Sequence, residues 1–157
     1  MKPSGQGGHH HVPTPMATIA MQVGDGPEVE AFLAQRIYEY NVAATGYDNA
    51  ESFTAALRDE HGAVEAGVCG YTWGGCCYVS YLWVAESSRH KGLGSELLDA
   101  VERHAREKGC RLVLLWTHSF QAPALYVGRG YQLTGRVADH PVGYSSGVYV
   151  KRLDGRR

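Results

Sequence analysis

The residues with the clearest chemical content lie between Arg89 and Ser95, where the chain reads Arg-His-Lys-Gly-Leu-Gly-Ser. A pyrophosphate needs several hydrogen-bond donors at short range, with no side chains in the way. Glycines let the backbone approach closely and adopt turn dihedrals. A helix starting there adds unpaired N–H groups and a partial positive charge. Arg89 and Lys91 contribute formal charge, and His90, Gly92, Leu93, Gly94 and Ser95 complete the candidate grip. Neither standard nucleotide motif is present. No Gly-Lys-Ser/Thr closes the segment, and Leu97 stands where a dinucleotide fingerprint has its third glycine. Taken alone, R-x-x-G-x-G reads equally as a glycine-bearing turn that starts a helix. The cysteines offer less. Cys69, Cys76, Cys77 and Cys110 contain no C-x-x-C pair, and adjacent Cys76 and Cys77 suit neither a zinc site nor an ordinary disulfide. They read as small apolar residues kept reduced. Neither they nor His9–His11 form a closed metal site, so no metal is expected.

The elements around the grip are legible from periodicity. Ala17–Val23 reads as a first strand. Asp25-Gly26-Pro27 opens a helix, with Val29, Phe32, Leu33, Ile37 and Tyr40 at helical spacing until Gly46. Three strands follow at Phe53–Arg58, Ala63–Trp73 and Tyr78–Val84, separated by turns at Glu60-His61-Gly62 and Gly74-Gly75. The polar loop Ser87–Gly94 leads into a helix from Ser95 to about Lys108. Leu97, Leu98, Val101 and Ala105 line one face, and Glu96, Asp99, Glu102, Arg103 and Arg106 the other. Gly109 ends it. Arg111–Thr117 is an apolar strand of the buried kind. Ala122–Gly128 suits a short helix, and Tyr131–Val137 and Tyr144–Leu153 close the fold around Asp139-His140-Pro141.

The 157 residues suit one domain. Residues 1–16, rich in Gly, Pro and His, read as a disordered leader or tag remnant, and 17–157 as the folded domain. A net charge of −1 gives no reason to expect a nucleic-acid or membrane partner, since both select clustered Lys and Arg. No apolar run is long enough to span a bilayer. A cytoplasmic location is expected.

The succession of segments narrows the choice. An aromatic-rich strand, R-x-x-G-x-G, an amphipathic helix, a buried strand and Ala124-Leu125-Tyr126-Val127-Gly128-Arg129-Gly130-Tyr131 follow in order. This order resembles the GNAT superfamily of N-acetyltransferases over most of residues 17–153, most closely over 78–137. The resemblance implies a mixed α/β fold: a mostly antiparallel sheet of six or seven strands, flanked by about four helices. One parallel pair, Tyr78–Val84 and Arg111–Thr117, would splay to admit acetyl-CoA. It implies that Arg89–Ser95 hold the pyrophosphate and that Leu82, Trp83 and Val84 present backbone to the pantetheine arm. Tyr126 would lie beside the thioester sulfur. Many members carry Asn seven residues before that Tyr; here Ser119 takes its place.

The implied activity is acetyl transfer to a primary amine, by direct attack. Tyr126 would protonate the leaving thiol and a backbone N–H of Leu82–Val84 would polarise the carbonyl. His118, directly after the buried strand, is a candidate base. Glu39, Asp48 and Glu51 are others, each reading equally as a surface charge. Tyr38, Tyr40, Tyr47, Trp73 and Trp83 are candidates for an aromatic acceptor pocket. The expected acceptor is a small-molecule amine. A protein lysine or N-terminus, and a CoA-binding module without turnover, stand as the alternatives. A homodimer is common in the family.

Overall fold

The computed structural model describes residues 21, 23–24 and 26–155. The first strand expected at Ala17–Val23 and the cap at Asp25 therefore fall largely outside the described residues. The chain divides into two units after Glu39. The described part of the first is mainly helix α1, Pro27–Thr45, whose last residues belong to the second. Pro27 occupies the first helical position, where its missing N–H costs no hydrogen bond. Gly46, at φ 75°, ends the helix.

The second unit is built on a six-stranded sheet. Its strands are β1 (Glu51–Arg58), β2 (Val64–Trp73), β3 (Cys76–Val84), β4 (Leu112–His118), β5 (Gln132–Ala138) and β6 (Ser145–Arg152). They lie in the order β1-β2-β3-β4-β6-β5. All neighbours are antiparallel except β3 and β4. Between β3 and β4 the chain runs through a 3-10 turn at Glu86–Ser88 and helix α2 (Leu93–Glu107). Helix α3 (Pro123–Gly128) links β4 to β5. A parallel pair needs a crossover of this kind, and the helix supplies it.

The β2–β3 hairpin turns on Gly74 and Gly75, both at positive φ (56° and 80°), the dihedrals a two-residue hairpin turn requires. The turn so placed draws Cys76 and Cys77 into β3, which starts two residues earlier than the sequence suggested. Alternation along the strands then sends Val68, Cys77, Val79, Val113, Leu115 and Tyr149 to one face. Helix α2 closes that face with Leu98, Val101 and Ala105, at i, i+3 and i+7. Leu98 has no accessible surface; burying a leucine to that extent contributes about 1.5–3 kcal/mol.

One charge lies where the amphipathic pattern did not put it. Glu102, expected on the solvent face of α2, is 5% exposed. The reason lies 49 residues away: Lys151 on β6 donates to both carboxylate oxygens at 2.8 Å, and Arg106 stands 3.9 Å off. A charge is tolerated inside only when paired and hydrogen-bonded in this way.

Candidate active site

The parallel ladder between β3 and β4 is short. It joins Cys76–Val79 to Leu112–Leu115 and stops. Beyond it β3 continues to Val84 and β4 to His118 without pairing to each other. A bulge explains the parting. Opposite β2, Gly70 faces Val79 and Cys69 faces Tyr81, so Ser80 is the extra residue on β3. An inserted residue bends and twists its strand. Gly70 permits the bend, because a Cβ there would collide with the Tyr78 carbonyl.

The gap opens into a cleft of about 1020 Å³. One wall is Val79–Val84 of β3, the other Leu115–Thr117 of β4. Its floor brings Leu125 and Tyr126 of α3, and its far end Arg89, His90 and Gly92–Ser95. The end is shaped by backbone. Gly92 holds φ 86°, ψ −3° at the helix cap, and no side chain caps the helix. The first turn closes with Glu96 N–H donating to Gly92 O at 3.0 Å. The amides of Leu93, Gly94 and Ser95 precede that bond and have no partner within the helix. His90 is at φ 61°, an uncommon conformation for a residue with a side chain. Arg89 is fixed by an Nε–H donated to Val84 O at 3.1 Å, which ties the loop to the end of β3. These amides, the helix dipole and one guanidinium converge on the cleft as a seat for an anion. Lys91 lies on the same loop but does not line the cleft.

Leu82, Trp83 and Val84 border the cleft, as does Tyr126. The Tyr126 ring is 7% exposed and packs edge-on to Tyr131 at 6.0 Å. Burial pushes its phenol above the ordinary tyrosine pKa, so it stays protonated and able to donate. Tyr131 is pushed up further, by burial first and then by the Glu102 carboxylate.

His118 lines a smaller recess of about 570 Å³ with Tyr78, Ser80, Tyr81, Trp116 and Gln121. Four of these also line the cleft, so the two spaces join. The imidazole is tightly held. Phe120 stacks on it at 5.1 Å with planes 4° apart, and the His140 ring lies at 5.1 Å. Its Nδ1 is 3.0 Å from the His140 carbonyl. A carbonyl only accepts, so Nδ1 carries a proton, and in the neutral ring the lone pair is on Nε2. His140 is itself held, by Ser146 Oγ at 2.8 Å from its Nδ1 and by Trp116 edge-on. Gln121 accepts from Thr117 Oγ1 at 2.8 Å and from the His118 N–H at 2.9 Å, leaving its amide hydrogens for the recess.

Other expected residues lie elsewhere. Ser119 lines neither space: its hydroxyl accepts from Ser145 N–H at 3.2 Å and its own N–H donates to Ser145 O at 2.7 Å. Glu51 accepts from Lys108 Nζ at 2.6 Å, a hydrogen bond that lowers its pKa and weakens it as a base. Of the expected aromatic residues, Trp83 borders the cleft, whereas Trp73 donates its indole N–H to Tyr47 O at 2.9 Å. Tyr78, Tyr81 and Trp116 take their place in the recess. Burial raises Cys76 to about 11 and Cys77 to about 12, the wrong direction for a nucleophile.

A parallel pair that parts beside a glycine-led helix start is a specific arrangement, and known proteins share the fold that carries it. The sequence profile of the acetyltransferase (GNAT) family matches residues 21–131. The chain belongs to that family. Blasticidin-S acetyltransferase of Streptomyces morookaense is 38% identical over 104 residues, 66% of this chain and 76% of that protein. Crystal structures of an acetyltransferase from Bacillus cereus (36% identity, TM-score 0.72, 85% of this chain and 98% of that one) and of a further acetyltransferase from Agrobacterium tumefaciens (28%, 0.81, 88% and 100%) share the fold. This GNAT protein is therefore an acyl-CoA-dependent N-acetyltransferase. The two joined spaces, about 1020 and 570 Å³, are the candidate site for that activity.

Proposed function

We propose that this protein transfers an acetyl group from acetyl-CoA to the primary amine of a small molecule, with His118 as base and Tyr126 as acid. The observation that carries the reading is the junction of the two spaces, with the His118 imidazole lining one and the Tyr126 phenol the other. Acetyl-CoA supplies an activated acyl group. Its pyrophosphate suits the amides of Leu93–Ser95 and the Arg89 guanidinium, and its extended arm the open edge of β3 at Leu82–Val84. The recess, about 570 Å³, is of small-molecule size. A relative that acetylates blasticidin S supports an antibiotic-type acceptor.

The chemistry follows from the residues. An alkyl ammonium with pKa ~10.4 costs roughly 4.6 kcal/mol to deprotonate at pH 7, and a positioned base must share that cost. His118 Nε2, the unprotonated nitrogen, accepts the amine proton. A β3 backbone N–H beside the bulge stabilises the developing oxyanion. Tyr126 donates its phenolic proton to the departing sulfur, and no enzyme-bound acyl group is required. Calorimetric titration of acetyl-CoA, followed by a thiol-release screen of amines, tests this. One saturable site per chain and turnover with a small amine are expected. A folded protein that does not bind acetyl-CoA would defeat the proposal.

A further inference from the structure

We infer that Ser146, a buried residue of β6, is a positioning residue for the base: through His140 it holds the carbonyl that fixes the His118 ring. This rests on the transferase reading above, with His118 as its base, and adds what orients that base. A base is effective when it is held in line with the proton it takes, and a third group commonly holds it. Here that group is the His140 carbonyl, 3.0 Å from His118 Nδ1. A backbone carbonyl has no side chain of its own to fix it; its place is set by whatever anchors residue 140. The anchor is the His140 ring, whose Nδ1 is 2.8 Å from Ser146 Oγ and which meets Trp116 edge-on at 6.0 Å. Ser146 is 2% exposed, so its hydroxyl needs a partner inside the protein. It also pairs directly with His118 in the β4–β6 ladder, which sends both side chains to the same face of the sheet. The contacts therefore run in a closed circuit, from Ser146 to the His140 ring, from the His140 carbonyl to His118, and back across the ladder.

The turn between β5 and β6 is wound around this circuit. Asp139 sits at φ 52°, uncommon for a residue with a side chain, and its carboxylate accepts from Gly143 N–H at 3.3 Å. Tyr144 N–H donates to Pro141 O at 2.9 Å. The Tyr144 ring meets Phe120 edge-on at 5.0 Å, so the ring that stacks on His118 is braced from the same turn. These bonds already reverse the chain. The hydroxyl of Ser146 adds something else, a hold on the one ring whose own carbonyl meets the base. Ser146→Ala leaves the other bonds of the turn in place and releases that ring, which makes the residue a clean probe.

The test joins NMR to kinetics on the full chain. Nitrogen-15 labelling of histidine reports the hydrogen-bonded ring N–H of His118, assigned by its loss in His118→Asn. Thiol release with acetyl-CoA and tyramine, the probe amine, gives kcat and KM. In Ser146→Ala the ring N–H signal should be lost to solvent exchange and kcat should fall by about 10- to 100-fold, with the KM for acetyl-CoA within about twofold. His140→Phe keeps a ring beside Trp116 but no nitrogen, and should behave like Ser146→Ala. His140→Asn offers a polar atom near the place of Nδ1, and should recover at least about a third of the wild-type kcat. A serine that only stabilises the turn would lower the melting temperature and leave the ring signal and kcat unchanged. Ser146→Ala with that signal intact, or with kcat within twofold of wild type, overturns the inference, as does a wild-type spectrum without the signal. If tyramine is not turned over, the ring signal decides alone. An inactive His118→Asn beside a fully active Ser146→Ala overturns this inference and leaves the base standing. His118→Asn at wild-type kcat removes His118 as the base, and this inference with it.

Discussion

Gly92 separates the anion seat from the fold that presents it. Its φ of 86° is left-handed, and a Cβ built there meets nothing within 4 Å. A side chain at this position therefore pays only the backbone penalty, about 1–2 kcal/mol. For a domain of this size that lowers Tm by roughly 2–8 °C, at about 2–4 °C per kcal/mol. Gly92→Ala should show that loss and little more, with acetyl-CoA affinity within about threefold. Gly92→Glu suffers the same strain and adds a carboxylate beside the pyrophosphate. Two like charges about 4 Å apart repel by about 4 kcal/mol at an effective dielectric of 20, and each 1.4 kcal/mol is about tenfold in affinity. Even half that repulsion, about 2 kcal/mol, is more than an order of magnitude, and the full value nearly three. The assay is calorimetric titration of both variants at fixed ionic strength, beside their melting curves. If the two melt alike and bind acetyl-CoA alike, the phosphates do not sit on this loop.

Three further outcomes are expected. Tyr126→Phe should lower kcat by about 10²–10⁴-fold with acetyl-CoA affinity little changed, if the phenol is a general acid; stopped-flow thiol release measures it, and unchanged kcat removes Tyr126 from the chemistry. Lys151→Met should cost about 3 kcal/mol, because it leaves the Glu102 carboxylate buried without its main partner, whereas Glu102→Leu with Lys151→Met should recover most of that; urea unfolding decides, and a double variant no better than the single contradicts the account. Cys77 has no accessible surface and burial raises its pKa from 9.0 to about 12. Between pH 9 and 12 the native thiol keeps a proton that the unfolded chain releases, so stability is intact below pH 9 and then falls by about 1.4 kcal/mol per pH unit. Cys76 adds in the same direction up to about pH 11. Unfolding free energies flat across that range would contradict the burial.

What the sequence disclosed was what local signals carry. Periodicity and turn residues located every strand of the sheet within a few residues, and the glycine pattern marked the start of α2. Leu93 rather than Ser95 begins that helix, because Gly92 caps it with backbone alone and leaves no side-chain signature. The pairs that matter most are distant in the chain. His118 and His140 are 22 residues apart, Glu102 and Lys151 49, Ser119 and Ser145 26. No local pattern announces such a partner. His140 sat in a segment legible only as a turn, and its role in fixing the His118 tautomer depends on β4 and β6 pairing to bring His118 opposite Ser146. Trp116 and Tyr81 read as strand residues, and their meeting in one recess follows from the parting of β3 and β4 beyond Val79 and Leu115.

The short β3–β4 ladder has a consequence for the stability of the sheet itself. Strands β1-β2-β3 and β4-β6-β5 are two half-sheets, zipped together along Cys76–Val79 and Leu112–Leu115 and bridged by α2. Past Val79 each half presents a sheet edge in the middle of the fold rather than at its rim. An open edge invites any extended backbone to pair with it. The loop beside the wedge is tied to the end of β3 by the Arg89 Nε–H donated to Val84 O. In the proposed function the extended arm of acetyl-CoA is what lies against that edge. Occupancy should then clamp the two halves, raising the melting temperature with ligand concentration and slowing amide exchange across both edges at once.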